Sequence, residues 1–181
     1  MKYFFKHLHT VNVHRFEVFK LCCKCGFFWR GLTHDLSKYS FEEFWESVKY
    51  YSISKGKYSP LLASKKKLGY SKAWLHHFGR NKHHFEYWYD YAAPDQTPII
   101  PFKYMVEMVC DRIAACKVYN KGNYDDSCSY KYFIERKDKY KINPKMNNFL
   151  ELVFIDLKDN GESILNKRHL KDIYDKCLKE K

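Results

Sequence analysis

Four imidazoles fall within nine positions of this chain, in the stretch Leu75-His76-His77-Phe78-Gly79-Arg80-Asn81-Lys82-His83-His84-Phe85-Glu86. Imidazole nitrogens suit transition-metal ions, and neighbouring carboxylates complete or orient such a site. On one continuous helix, seven residues make about two turns, so a histidine from each pair would share a face. Gly79 offers another arrangement, a broken helix with a loop carrying His83 and His84. The alternative chemistry is a basic, aromatic-flanked patch that stacks on nucleic-acid bases. So many imidazoles competing for protons favour the metal.

Four further residues belong to the same question. His34-Asp35 sits in Gly31-Leu32-Thr33-His34-Asp35-Leu36-Ser37-Lys38. Adjacent residues on a helix project about 100° apart, so both reach one ion only near a helix end. His14 lies on an apolar stripe, where a single histidine is ordinarily a core residue with a satisfied ring nitrogen. Asp111 lies on an apolar face with Tyr104, Met108 and Ala115. A carboxylate is costly to bury unpaired, so Asp111 needs an arginine (Arg112 or Arg80), a hydrogen-bond network or a cation.

The elements that must position these residues read as helices. His14, Val18, Leu21 and Cys25 follow a helical spacing over about 13–25, and Gly26 is a natural stop. A second segment covers about 28–38. Ser40 with Glu43 three residues later reads as a capping box opening a helix to about Tyr51. Residues 52–70, with Gly56, Pro60 and Gly69, predict a surface loop holding at most one short helix. Ser71 opens the histidine-rich segment, which runs to about Tyr89. Pro94, Pro98 and Pro101 break the chain before a strong helical pattern from Phe102 to about Tyr119. Weaker helices are expected near 130–140, 147–157 and 163–178. No repeat and no linker separates two domains. The expectation is one all-α helical bundle over 1–181 with a metal site at its centre, the site-bearing part being about 9–119 and a helical extension about 120–181.

Composition bounds the rest. With 181 residues, 45% hydrophobic and 30% charged, the chain can bury a sizeable core and is not disordered. Seven glycines and five prolines are too few for sandwich or propeller folds. A net charge of +12 favours anionic ligands such as nucleotides, phosphate esters or nucleic acid. Seven cysteines, an odd number, fit buried free thiols in a reducing cytoplasm better than disulfides or a structural zinc at Cys22–Cys25. No apolar run approaches the ~20 residues of a membrane span. Oligomeric state is not legible.

The string from His14 through Gly26 to Leu32-Thr33-His34-Asp35-Leu36-Ser37-Lys38 resembles the opening of an HD-superfamily domain. The segment Val109-Cys110-Asp111-Arg112-Ile113-Ala114-Ala115 is similar to that family's closing aspartate helix. Dinuclear members, such as the HD-GYP phosphodiesterases, add a histidine and a His-His pair between these points, giving the order H…HD…H…HH…D. Here no DGxGYP string follows His84, the spacing between histidine elements is shorter, and Ser37 replaces a glycine. The pattern H…HD…HHxxxNxHHxE…D also resembles an uncharacterised bacterial and phage family over about His9 to Tyr119.

The resemblance implies that His14, His34, Asp35 and Asp111 hold one ion. Asp35 then bridges to a second ion held by His77 (or His76), His83 and His84. The cofactor would be a divalent transition metal, two ions, with Mn, Fe, Co, Ni and Zn not distinguishable. Asp35 and Lys38 would be the catalytic residues; proximity in sequence, not the resemblance, makes Lys38, Arg80 and Asn81 the candidates for contact with an anionic substrate. The expected activity is phosphohydrolysis of a nucleotide or other phosphate ester. The alternatives are a di-iron oxygenase of HD type and a non-catalytic nucleotide- or nucleic-acid-binding protein.

Overall fold

The computed structural model describes residues 2–54 and 60–179. Among these residues the secondary structure is helical throughout, with no strand. The α-helices are α1 (Lys2–Lys24), α2 (Phe28–Thr33), α3 (Phe41–Ser54), α4 (Pro60–Leu68), α5 (Lys72–Phe78), α6 (Phe102–Asn120), α7 (Cys128–Ile134), α8 (Pro144–Asn160) and α9 (Lys167–Lys179). Short 3-10 turns at Leu36–Tyr39 and Phe85–Trp88 carry the chain between site-bearing segments.

α6 is the central element. Met105, Val106, Met108, Val109, Cys110, Ile113, Ala114 and Cys116 are all buried, so the helix is enclosed on most of its circumference. That is why no single apolar stripe dominates it. α1 packs on one side of α6 through Val18, Leu21, Cys22 and Cys25. α7, α8 and α9 cover the other side with Phe133, Phe149, Phe154, Leu157 and Leu170. The expected stripe His14–Val18–Leu21–Cys25 is buried as a unit. Glu162 pairs with both Lys24 of α1 and Lys117 of α6, which fastens the C-terminal part to the site-bearing part. No helix among the described residues is long and apolar enough to cross a membrane.

Local signals explain most boundaries. Gly26 adopts φ +75 and ends α1, where Phe27 N–H returns to the Cys22 carbonyl at 2.8 Å. Asn143 caps α8 by accepting from Lys145 N–H, with Pro144 in the first turn. The cysteines are free, and Cys22, Cys25 and Cys110 are buried between α1 and α6.

Two boundaries differ from the sequence reading. α1 begins at Lys2, well before residue 13, because Phe4 stacks on Phe44 and carries the packing toward the N-terminus. The segment expected over 28–38 breaks after Thr33: His34 is extended and Asp35 is left-handed at φ +52. The one short helix allowed within 52–70 is α4; residues 55–59, with Gly56, lie outside the described residues.

Candidate metal centre

The centre lies where α1, the break after α2, α5, the following turn and α6 converge. α1 supplies His14 and α6 supplies Asp111. The break supplies His34 and Asp35 together, which a continuing helix would have pointed apart. α5 ends at Phe78, so His77 comes from its last turn while His83 and His84 come from the irregular segment after Gly79. The loop arrangement, not the two-turn helix, is the one the chain adopts. Asn81 fixes that segment by donating to Ser37 Oγ and to the His77 carbonyl, both at 2.8 Å.

Two groups of ligand atoms result. His14, His34, Asp35 and Asp111 form one; Asp35, His77, His83 and His84 form the other. Within each group the ligand atoms lie within 4.8 Å of one another. Asp35 Oδ2 is 3.2 Å from His34 Nε2 and 3.9 Å from His14 Nε2. Its other oxygen, Oδ1, is 3.4 Å from His77 Nε2 and 3.3 Å from His83 Nε2. Asp111 Oδ1 closes the first group, 2.9 Å from His14 Nε2. His84 Nε2 closes the second, 2.9 Å from His77 Nε2. One carboxylate therefore faces both groups, an oxygen to each.

These residues fit divalent cations. Nε2 of His14, His34 and His83 and both oxygens of Asp35 are buried without a well-aligned hydrogen bond. Buried polar atoms are rarely left so, and here five converge on two points. Nitrogen and carboxylate donors of this kind match first-row transition metals. The outward nitrogens of His34, His83 and His77 are satisfied instead, whereas His14 Nδ1 has no hydrogen-bond partner. His34 Nδ1 and His83 Nδ1 lie 3.1 and 3.2 Å from Glu107 Oε1, and His77 Nδ1 lies 2.8 Å from Glu43 Oε2. A proton held on each Nδ1 by an outer carboxylate leaves the Nε2 lone pair facing inward.

The electrostatics agree. Burial alone would raise Glu107, but the hydrogen bonds from His34 and His83 outweigh it and hold its carboxyl at about 2. Asp35 is likewise held well below the usual carboxylate range: burial opposes this, and His34 and Lys38 overcome it. Burial disfavours the charged His34 ring, yet Asp35 and Asp111 beside it raise its pKa well above the ordinary value. Burial and the neighbouring His83 and His77 lower His84.

The remaining sequence candidates are placed differently. Lys38 Nζ is 2.5 Å from Asp35 Oδ2, at the edge of the centre. His76 turns away from the ligand groups and bonds Glu43 Oε1 at 2.7 Å, so His77 is the residue the fold brings in. Asn81 supports the second group from outside, through Ser37 and His77. Arg80 is exposed, and its backbone N–H donates to the His77 carbonyl at 3.2 Å. Arg112 sits over the ring of Tyr140, and Asp111 finds its partner in His14.

Three supporting residues were missed in the sequence. Glu107 stands one turn before Asp111 inside the same apolar run, so the unpaired-carboxylate test applied to Asp111 also finds Glu107. Glu43 does half of its expected capping: its backbone N–H meets Ser40 Oγ at 3.4 Å, but its carboxylate is spent on His76 and His77. Arg15 donates to the carbonyls of His34 and Leu32 at 2.7 and 2.9 Å, holding the break open. No local pattern marks it.

A family model matches residues 3–155, a span that contains every ligand residue. The chain belongs to DUF5662, a family of unknown function. No curated protein and no solved structure matches it. Membership in DUF5662 carries no activity with it, so chemistry must be argued from the centre itself.

Proposed function

We propose that this DUF5662 protein is a metal-dependent phosphohydrolase acting on a nucleotide or another phosphate ester through a dinuclear centre. The observation that carries the reading is Asp35, whose two buried oxygens each face a separate set of histidines. The order of the ligands along the chain resembles that of dinuclear HD-superfamily domains and supports the same reading. Two divalent ions so held would activate a water and neutralise phosphoryl charge together.

The chain's own residues have definable parts in this. Asp35 and Asp111 bring two negative charges to the first group, and Asp35 alone serves the second. Glu107 and Glu43 fix which imidazole nitrogen faces inward. Burial opposes a charged Lys38, but Asp35 and Asp111 prevail and raise its pKa above the ordinary lysine range. The Lys38 side chain is 30% exposed, and its ammonium is suited to an anionic phosphate oxygen. The net charge of +12 favours the approach of such a substrate.

The test couples elemental analysis of the purified protein to a phosphoesterase panel of nucleoside monophosphates, cyclic nucleotides and simple mono- and diesters. Asp35→Ala should lose both the metal and hydrolysis. Asp35→Asn belongs beside it, because Asn tolerates the left-handed backbone that strains Ala. Lys38→Met should keep the metal and lose rate. Dioxygen consumption without phosphate release would move the centre to the oxygenase class, and a wild-type protein that binds no metal would end both enzymatic readings.

A further inference from the structure

Three groups of titratable residues meet at the centre. His34, His83 and Glu107 also place ligand-type atoms within 4.8 Å of one another. This third group does not read as another ion site. Both imidazoles turn Nε2 toward Asp35 and present only Nδ1 to Glu107. Both meet the same oxygen, Oε1. His34 belongs to the first ligand group and His83 to the second.

We infer that Glu107 is a positioning residue shared by the two halves of the centre, fixing the tautomer of one ligand histidine in each. The inference rests on the dinuclear reading and deepens it. Burial makes the carboxylate effective: Glu107 is 4% exposed, in a run where its neighbours are apolar. Its other oxygen, Oε2, has no hydrogen bond and faces the Arg30 guanidinium at 3.6 Å. Arg30 in turn lies over the Tyr104 ring, one turn earlier on α6. Oε1 is therefore left to the two histidines. Outer carboxylates of this kind raise the basicity of the ligand and lock its orientation. Glu43 is the natural contrast, because it supports His77 and so only the second group.

The consequence is specific. Loss of Glu107 should weaken both ions, whereas loss of Glu43 should weaken one. The experiment is a zinc titration of the full chain against a competing chelator, resolving two stepwise constants. Glu107→Gln keeps an oxygen acceptor but removes the charge. It should lower both constants by about 10- to 100-fold, the range for outer-shell partners. Glu43→Gln should lower one constant and leave the other within about twofold. Unchanged constants in Glu107→Gln, or a loss confined to one of them, would overturn the shared role while leaving the dinuclear centre intact. A wild-type chain that takes up no zinc would overturn both.

A second measurement does not depend on any variant folding. In the zinc-loaded wild type, nitrogen-15 histidine spectra should show His34 and His83 protonated at Nδ1 and coordinated through Nε2. Coordination through Nδ1 at either residue would refute the inference directly.

Discussion

Gly31 offers a quantitative test of how the centre is held. It is buried where α2 crosses α1, and a Cβ built there would lie 2.8 Å from Cys22 Cβ and 2.9 Å from the Phe19 Cα. Carbon–carbon contacts are comfortable at about 3.5–4.0 Å, so Gly31→Ala requires α2 to retreat by several tenths of an ångström or more. Neither obstructing atom is the free end of a flexible side chain. Overpacking of this kind costs typically 1–3 kcal/mol. Alanine regains up to about 1 kcal/mol of helix propensity over glycine. With the full propensity gain subtracted, the net expectation is a loss of up to about 2 kcal/mol, or up to roughly 8 °C in Tm for a domain of this size. The displacement also reaches the centre, because His34 follows α2 directly. Urea unfolding of the metal-free protein gives the first quantity, and zinc affinity gives the second. A Gly31→Ala protein as stable as wild type, with unchanged zinc affinity, would refute the close-packing account.

Two other perturbations probe the same frame. Arg15→Met removes hydrogen bonds to the His34 and Leu32 carbonyls, which should cost about 1–2 kcal/mol and weaken zinc binding. Equal urea midpoints and equal zinc constants would show that the break after Thr33 holds without it. His7 should make the metal-free fold acid-sensitive. Burial, with a smaller effect from the Lys38 cation, lowers it from 6.5 to about 4 in the folded chain. The folded state thus resists a proton that the unfolded state accepts, so His7 costs nothing above pH 6.5 and costs progressively more as the pH falls toward 4. With partial exposure allowed for, the penalty at pH 4–5 is about 1–2 kcal/mol. His7→Gln should unfold less readily than wild type at pH 5 relative to pH 7; identical pH dependence in the two proteins would contradict it.

Much of this fold is legible in the sequence because its helices carry period-3.6 patterns or explicit stops. The stripe of α1, the Ser71 cap and the pattern of α6 place themselves. The ligand residues are legible for another reason: buried histidines and aspartates on apolar faces need partners, and few chemistries satisfy so many together. The structure brings His14, His34, Asp35, His77, His83, His84 and Asp111 to one place. Glu43 shows where reading stops. Its position three residues after Ser40 is a sound capping signal, and the backbone half of that signal is obeyed. Only the tertiary approach of α5 to α3 reveals two imidazoles competing for the same carboxylate and winning it. Arg15 makes the same point: the arginine that holds the break is 19 residues away from the carbonyl it binds.

The break at His34-Asp35 is where local and global demands conflict most openly. Continuing α2 would keep ordinary backbone angles but would send adjacent side chains about 100° apart. The chain leaves the helix instead, with Asp35 at φ +52, a conformation that aspartate tolerates better than most residues. No other non-glycine described residue has a positive φ. The left-handed turn therefore falls on the one carboxylate that faces both ligand groups. Strained backbone persists where its surroundings over-determine it. Here Arg15 fixes the preceding carbonyl, Lys38 N–H closes onto the Asp35 carbonyl at 3.0 Å, and Gly31 lets α2 sit close enough for both. A helix that stops at Thr33 is thus a condition for Asp35 to reach both groups of histidines.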